Sequence, residues 1–206
     1  MGIWIFIIVG IVVIVLVRSK LPSFIGRMGE NFVNGKLQKL DQNQYKILND
    51  LLLPSQGNLN TTQIDHVVVS NFGIFCIETK AYRGWIFGDA RQEYWTQVIY
   101  RSKKRFFNPL RQNYAHTKAV EALVMPLYPK VPILSFVAFP NADKLKISGT
   151  DSVGYAGDVM NKISSFHTQV ISDTDRDKIY EILVRANIQD KKVRKLHDRG
   201  ARELKR

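Results

Sequence analysis

Residues 63–80, QIDHVVVSNFGIFCIETK, contain two apolar runs, Gln63–Ser70 and Ile74–Lys80, and the turn residues Asn71–Gly73 separate them. Runs that are rich in Val and Ile and are joined by such a turn predict a β-hairpin. Apolar side chains occupy successive positions in both runs, which is typical of strands buried on both faces. Both strands of the hairpin are therefore predicted to be buried.

The length of the turn sets which residues of the hairpin face each other. With a two-residue turn at Asn71 and Phe72, Asp65 lies opposite Glu78 on the same face, with the side chains about 5 Å apart. Lys80, two residues beyond Glu78, shares that face. A turn longer or shorter by one residue would break this pairing, so the prediction depends on the register.

Two facing carboxylates repel each other unless a cation neutralises them. Mg²⁺, with Mn²⁺ as a substitute, binds through one or two carboxylates and keeps several waters. Such an ion lowers the pKa of a bound water and stabilises charge on a phosphate, and the Lys80 ammonium would balance the same charge. The alternative is an ion pair at a strand end, a spacing common by chance. The apolar flanks favour a site, because an unpaired acid in a buried strand is costly.

The rest of the chain alternates helical and extended patterns, which predicts an α/β fold. Asn108-Pro109 is a good helix start, with an N-cap residue followed by proline. The predicted helices cover residues 25–40, 109–124, 157–166 and 173–188, and a basic helical tail covers 191–206. The further predicted strands are 45–53, 84–87, 94–100, 169–171 and 131–139, the last of which is a central strand.

The N-terminal segment is uniformly apolar. Met1–Val17 carries no charged side chain, and Arg18, Lys20 and Arg27 follow it. Seventeen residues of helix span roughly 25 Å, at the short end for a bilayer. A cleaved signal peptide would place its positive charge before the apolar run, and a buried amphipathic helix would have a polar side. An uncleaved single-pass anchor is therefore expected, with the domain after it in the cytoplasm.

The charge balance favours a polyanionic partner. The 206 residues include 30 Lys and Arg against 18 Asp and Glu, for a formal net charge of +12. Either nucleic acid or anionic lipid fits such a balance. Arg101, Lys103, Lys104 and Arg105 precede two phenylalanines, a pattern that suits phosphate contact and base stacking, although a solvated loop is equally compatible. The single cysteine, Cys76, excludes an internal disulfide framework and a cysteine-based zinc cluster.

Several motifs occur together in a recognisable order. They are Gly26–Glu30 (GRMGE), Gln63–His66 (QIDH), Gly73–Phe75 (GIF), Glu78–Lys80 (ETK), Gly84, Trp95 and Asn108–Gln112 (NPLRQ). This set resembles the PD-(D/E)xK nuclease signature, and more closely the nuclease-related domain (NERD) family, over about residues 25–137. Ile64 replaces the proline of the general signature.

The resemblance implies a restriction-endonuclease-like core, a mixed β-sheet flanked by helices, and metal-dependent phosphodiester chemistry on DNA or RNA. It implies that Asp65, Glu78 and the Thr79 backbone carbonyl bind the metal. Lys80 is similar to the catalytic lysine of the family, and Glu30 and Gln112 are similar to supporting residues of its active site.

Helical spacing bears on these assignments. Glu30 shares a face with the core-directed Val33 and Leu37, although a glutamate in a first turn also suits the helix dipole. Gln112 and His116 are four residues apart and project to one side of their helix. His66 points to the opposite face of its strand from Asp65, so a structural role is expected for it.

The predicted organisation is therefore an anchor (1–20), a nuclease-like core (21–140), an α/β extension of that core (141–188) and a basic tail (189–206). The predicted function is a membrane-anchored, metal-dependent nuclease. Two alternatives stay open: a catalytically silent nucleic-acid-binding or scaffolding domain that keeps the fold, and a membrane-associated interaction protein whose basic charge serves lipid.

Overall fold

The predicted hairpin forms with the predicted two-residue turn. In the computed structural model, which describes residues 21, 23–56 and 59–203, β2 (Thr61–Ser70) pairs antiparallel with β3 (Gly73–Thr79). The ladder runs from Ser70 opposite Gly73 to His66 opposite Ile77. All seven residues of β3 are buried. The next position of this register brings Asp65 beside Glu78.

The described residues form an α/β fold with two mixed sheets flanked by helices. The other strands are β1 (Tyr45–Pro54), β4 (Trp85–Asp89), β5 (Tyr94–Ile99), β6 (Ser102–Phe107), β7 (Ile133–Ala138), β8 (Lys144–Ser148) and β9 (Val153–Gly154). The helices are α1 (23–37), α2 (Pro109–Val124), α3 (Ala156–Ser164), α4 (Asp173–Ala186) and α5 (Lys191–Glu203).

The first sheet has the strand order β1-β2-β3-β7-β9, with β3 at its centre. β7 lies parallel to β3 and β9 parallel to β7, whereas β1 and β2 are antiparallel. One face packs on α2 and α4, where Val67 and Cys76 contact the Val120 region. The other face packs on α1 and α3, where Val68 and Phe75 join Val33. Burial on both faces explains the unbroken apolar runs of the hairpin.

The second sheet has the order β6-β5-β4-β8. Only β4 and β8 pair in parallel. Its inner face packs through Ile86 and Trp95 against Val137 and Phe139, next to the first sheet. A single mixed sheet was expected from the sequence, so the division into two sheets is a correction. β6, β8 and β9 were not predicted, because charged side chains interrupt the apolar pattern of β6 and β8 and β9 has only two residues.

The helix that follows Asn108 is confirmed at both ends. Asn108 Oδ1 accepts a hydrogen bond from Leu110 N at 2.9 Å, Pro109 is the first helical residue, and the helix ends at Val124. The strand predicted at 169–171 is wrong. This segment is a loop, because the Val170 and Ile171 N–H groups bond the single carbonyl of Asn71 instead of a neighbouring strand.

Within the part of the chain that the structure describes, no helix is both long and apolar enough to cross a membrane. The predicted anchor, residues 1–20, lies outside the described residues.

A close approach between α1 and the end of β3 positions Glu30. A Cβ atom at Gly29 would lie 2.5 Å from Ala81 Cβ and 3.3 Å from Pro140 Cγ, so only glycine allows this contact. Gly35, on the same helix, has no heavy atom within 4 Å of such a Cβ. The GRMGE motif therefore has a packing role in which Gly29 brings Glu30 to the end of the central strands.

Gly29→Ala is expected to lower the free energy of unfolding by about 1 to 3 kcal/mol, because the methyl group forces α1 away from Ala81. Gly35→Ala, the same change on open helix surface, is expected to raise it by about 0.5 to 1 kcal/mol. Urea unfolding of both variants measures this. Equal effects of the two substitutions would contradict the close-approach account.

Candidate active site

A cleft of about 1150 Å³ opens at the ends of β2 and β3. Residues of α1, β5, α2 and α5 also line it. The ionisable side chains on its wall are Glu30, Asp65, Glu78, Lys80, Tyr82, Arg83, Tyr94, Arg111, His116 and His197. The predicted acids and lysine therefore share one cavity.

The Asp65 side chain forms a hydrogen bond between β2 and β3 at the open end of the hairpin. Its Oδ2 accepts a hydrogen bond from the Thr79 backbone N–H at 2.7 Å, just beyond the last paired residues of the two strands. This bond holds the Asp65 carboxyl next to Glu78 and Thr79.

Lys80 lies between Glu78 and Gln112. Its Nζ is 2.5 Å from Glu78 Oε1 and donates to Gln112 Oε1 at 2.8 Å. The side chain of Lys80 is 11% exposed and that of Glu78 is 4% exposed, so this is a buried ion pair that meets the cleft. Gln112 thus joins the hairpin residues directly, through the first turn of α2.

His116 holds the second oxygen of Glu78. Its Nε2 lies 3.1 Å from Glu78 Oε2, and its Nδ1 lies 2.6 Å from Thr62 Oγ1. Both oxygens of Glu78 therefore have partners. The spacing of Gln112 and His116 placed them on one side of a helix, but their contact with Glu78 and Lys80 depends on the packing of α2 against the sheet. The sequence carries no direct signal for Thr62, Arg83 or Arg111 in the cleft.

The three carboxyl groups differ in their electrostatic environment. Burial and the neighbouring Glu78 charge raise the pKa of Asp65 well above its usual range. Burial and Glu78 also raise the pKa of Glu30. For Glu78 burial acts in the same direction, but Lys80 and His116 outweigh it and lower its pKa. Glu78 is therefore the acid that its neighbours hold in the ionised form, and Asp65 is the acid whose charged form this site disfavours.

Lys80 keeps its proton in this environment. Burial alone would lower its pKa, but the Glu78 carboxylate outweighs burial and raises it. Lys80 therefore acts as a cation at neutral pH, and the geometry does not favour it as a base.

Glu30 and Thr79 also lie at the cleft. Glu30 lies on its wall, from α1, and its charge interacts with Glu78 and Lys80. Thr79 Oγ1 is buried and has no hydrogen-bond partner among the described residues. His66 behaves as expected of a residue on the opposite face: it is buried, and its Nδ1 lies 2.7 Å from Asn49 Oδ1.

The four predicted nucleic-acid-binding residues lie on the second sheet, outside the wall of the cleft. Arg101 is in the turn between β5 and β6, and Lys103, Lys104 and Arg105 are exposed on β6. A solvated loop was the alternative interpretation of this run, and three of the four residues lie in a strand instead. Arg83 and Arg111 are the arginines that line the cleft itself.

The sequence suggested that the basic helix α5 is a solvated tail. In the structure α5 is docked against the rest of the protein. Its Arg194 bonds the Asp50 carboxylate and carbonyl, both at 3.0 Å. His197 Nδ1 lies 2.9 Å from Thr61 Oγ1, at the start of β2. His197 and Ala201 line the cleft that holds Asp65 and Lys80. One wall of the cleft is therefore built by the C-terminal segment.

Comparison with known proteins identifies the family to which this chain belongs. The family model for the nuclease-related domain matches residues 25–140, more than half of the chain. The chain belongs to the nuclease-related domain family. An uncharacterized protein of Bacillus anthracis is 37% identical over 186 residues, covering 88% of this chain and 86% of the relative.

A crystal structure of a protein of unknown function aligns with 84% of this chain and 94% of its own, at 12% identity and a TM-score of 0.33. That score is too low to support an argument about either fold or function.

Two neighbouring carboxyl groups should respond oppositely to the same loss of charge. Asp65→Asn keeps an acceptor for Thr79 N and removes repulsion from Glu78, so in EDTA we expect the free energy of unfolding to rise by about 1 kcal/mol. Glu78→Gln leaves Lys80 charged and unpaired in a buried site, which costs about 3 to 5 kcal/mol. Thermal unfolding measures both. A lower free energy of unfolding for Asp65→Asn would show that Asp65 and Glu78 do not repel each other in the native protein.

Arg194 is expected to hold α5 on the cleft. Arg194→Ala removes its bonds to Asp50, Asn187 and the Ile188 carbonyl. Because the Asp50 side chain is 62% exposed, its ion pair with Arg194 is worth only about 1 kcal/mol. Amide hydrogen exchange in residues 191–203 should therefore accelerate about fivefold or more. The matched control is Arg199→Ala, whose ion pair with Glu203 stays within α5. Equal exchange in the two variants would show that α5 docks by other contacts.

Proposed function

We propose that this protein is a divalent-metal-dependent nuclease that hydrolyses phosphodiester bonds of DNA or RNA, and that residues 1–20 anchor it in a membrane with the domain on the cytoplasmic side. The observation that supports it most strongly is the Asp65, Glu78 and Lys80 group in the cleft of a chain that belongs to the nuclease-related domain family. The lysine and both acids meet at the end of the central hairpin, as in the restriction-endonuclease-like arrangement.

The donor set suits a hard cation. Among the described residues no group of three or more His, Cys, Asp and Glu side chains forms a ready-made metal cluster. Mg²⁺, however, needs only one or two carboxylates, because waters fill its other positions. Asp65 supplies a carboxyl whose charged form has no cation of its own, its Oδ2 accepts a bond from the Thr79 N–H, and the Glu78 charge lies close enough to raise its pKa. These three residues would hold Mg²⁺ or Mn²⁺, which would supply an activated water and stabilise charge on the phosphate.

The lysine has a distinct task. Because Glu78 holds Lys80 in its protonated form and the ammonium reaches the cleft, it stabilises negative charge that develops on a phosphate oxygen. The Gln112 amide oxygen fixes its Nζ from the other side at 2.8 Å. His116 and Thr62 hold Glu78 in place, so the ion pair is oriented before a substrate arrives. Glu30 adds negative charge at the rim, where it helps to retain a cation.

The surroundings of the site suit a polyanion. Arg83 and Arg111 line the cleft, and Arg101, Lys103, Lys104 and Arg105 extend the positive surface along the second sheet. Phosphate contacts of this kind supply most of the affinity for nucleic acid and make it sensitive to salt.

Membrane tethering is supported by the apolar residues 1–17 and the basic residues that follow. A silent nucleic-acid-binding domain is the second candidate. It is favoured by one observation, that Lys80 and His116 already occupy both Glu78 oxygens.

Cleavage of end-labelled DNA and RNA by the full chain in a mild detergent tests the proposal. In Mg²⁺ or Mn²⁺ we expect cleavage that EDTA abolishes and that Asp65→Asn or Lys80→Ala each reduce about a hundredfold or more. Lys178→Ala, on the exposed side of α4, is the matched control and should cleave normally.

Cleavage that survives both site substitutions would contradict the assignment of the site. Salt-sensitive binding with no cleavage in either metal would instead support the silent binder.

A further inference from the structure

The outer face of the second sheet carries solvent-exposed aromatic side chains. Trp85 and Phe87 of β4 lie across from Val98 and Thr96 of β5, and Tyr94 lies across from Phe107 of β6. Cross-strand partners point to the same side of a sheet, so all four rings share this face. Trp85, Tyr94 and Phe107 are 44%, 42% and 46% exposed. The inner face, by contrast, buries Ile86 and Trp95 completely.

Four cations occupy the same face. Lys103 lies opposite Val98, Arg105 lies opposite Thr96, and Lys144 and Lys146 of β8 lie beside Trp85 and Phe87. All four are exposed. Asp89, at the far end of β4, is the acid on this face among the described strands, and it is bonded to Ser148 and to the Arg91 N–H. The face therefore presents a strong excess of positive charge.

The cations are arranged around the rings. Lys144 Nζ and Lys146 Nζ lie 5.3 Å and 5.0 Å from the Trp85 ring centroid, and Lys146 Nζ lies 5.2 Å from that of Phe87. The Arg105 guanidinium carbon lies 4.8 Å from the centroid of Tyr94. Trp85, Phe87 and Tyr94 thus each have a cation within reach of a phosphate that would accompany a stacked base.

This face continues into the cleft. Tyr94 and Phe107 contact each other at a ring-centroid distance of 6.0 Å, and both line the cleft that holds Asp65, Glu78 and Lys80. The outer face and the candidate active site therefore share two residues.

We propose that the outer face of the second sheet binds unpaired nucleic acid, with bases stacked on Trp85, Phe87 and Tyr94 and phosphates on Lys103, Arg105, Lys144 and Lys146. This deepens the proposed function and rests on it, because it gives the cleft a single-stranded substrate. Bases stack on exposed rings only when they are free of a partner strand. When a phosphate binds the flexible side chains of Lys144 and Lys146, these lysines move away from Trp85, and the face of the Trp85 ring becomes available to a base.

Fluorescence anisotropy with a labelled oligo-dT of about 15 nucleotides, using the full chain in detergent and EDTA, tests this face without cleavage. Trp85→Ala should weaken binding about 5- to 100-fold, the loss expected for one base stack, and Trp85→Phe should restore most of it. Lys144→Ala/Lys146→Ala removes two phosphate contacts and should lower the slope of log affinity against log salt by about 1.4, since each contact on a single strand contributes about 0.7.

The matched control is Tyr180→Ala, because Tyr180 also carries a lysine near its ring, that of Lys46 at 5.9 Å, but lies on α4 against the first sheet. It should bind the oligonucleotide normally. Unchanged binding by Trp85→Ala, tighter binding of a duplex of the same length than of the single strand, or no binding by the wild-type chain would each overturn the proposal.

Vesicles of phosphatidylcholine with phosphatidylserine test the other polyanion. If Trp85→Ala released the chain from such vesicles but left oligonucleotide binding intact, the face would be a lipid surface and the proposal would be wrong. The cleavage assay is independent of these results. If the chain cleaves nucleic acid but Trp85→Ala leaves oligonucleotide binding unchanged, only the binding face is refuted. If Trp85→Ala weakens binding but the wild-type chain never cleaves, only the proposed catalysis is refuted.

Discussion

The buried ion pair of Glu78 and Lys80 is the interaction on which the rest of the site depends. A carboxylate at the end of an all-buried strand is stable only with a cation beside it, and Lys80 provides that cation at 2.5 Å. The pair leaves Asp65 without a cation of its own, because Lys80 is bonded to Glu78 and Gln112, and burial and the Glu78 charge raise the pKa of the Asp65 carboxyl. The site thus combines a satisfied acid, a fixed cation and an unsatisfied acid, an arrangement that gives up some stability at the place where an ion is proposed to bind.

Local signals in the sequence predicted the elements that place these residues. The two-residue turn at Asn71 and Phe72 fixes the hairpin register, and Asn108 and Pro109 fix the start of α2, so Gln112 falls in its first turn. Sequence spacing did not predict the contact of His116 with Glu78 or of Gln112 with Lys80, because both need the crossing position of α2 on the sheet. The second sheet was missed for a related reason. β6 consists mainly of exposed Lys and Arg, and β8 pairs with β4 from more than fifty residues away.

The structure also extends the site beyond the family-matched residues 25–140. β8 contributes two lysines to the outer face of the second sheet, and α5 contributes His197 to the cleft. The basic residues behind the formal net charge of +12 are therefore concentrated on particular surfaces. Some of them surround the cleft, some lie on a sheet with exposed rings, and some lie on a helix that closes one wall.

Electron paramagnetic resonance of Mn²⁺ with the full chain in detergent tests metal binding at Asp65, because it detects the ion without requiring turnover. We expect the wild-type chain to remove the free Mn²⁺ signal to saturation and Asp65→Asn to lose this binding. Asp143→Asn, which changes an exposed acid next to β8 of the second sheet, should retain it. Equal Mn²⁺ binding by the wild-type chain and Asp65→Asn, or no binding by either, would contradict metal binding at Asp65.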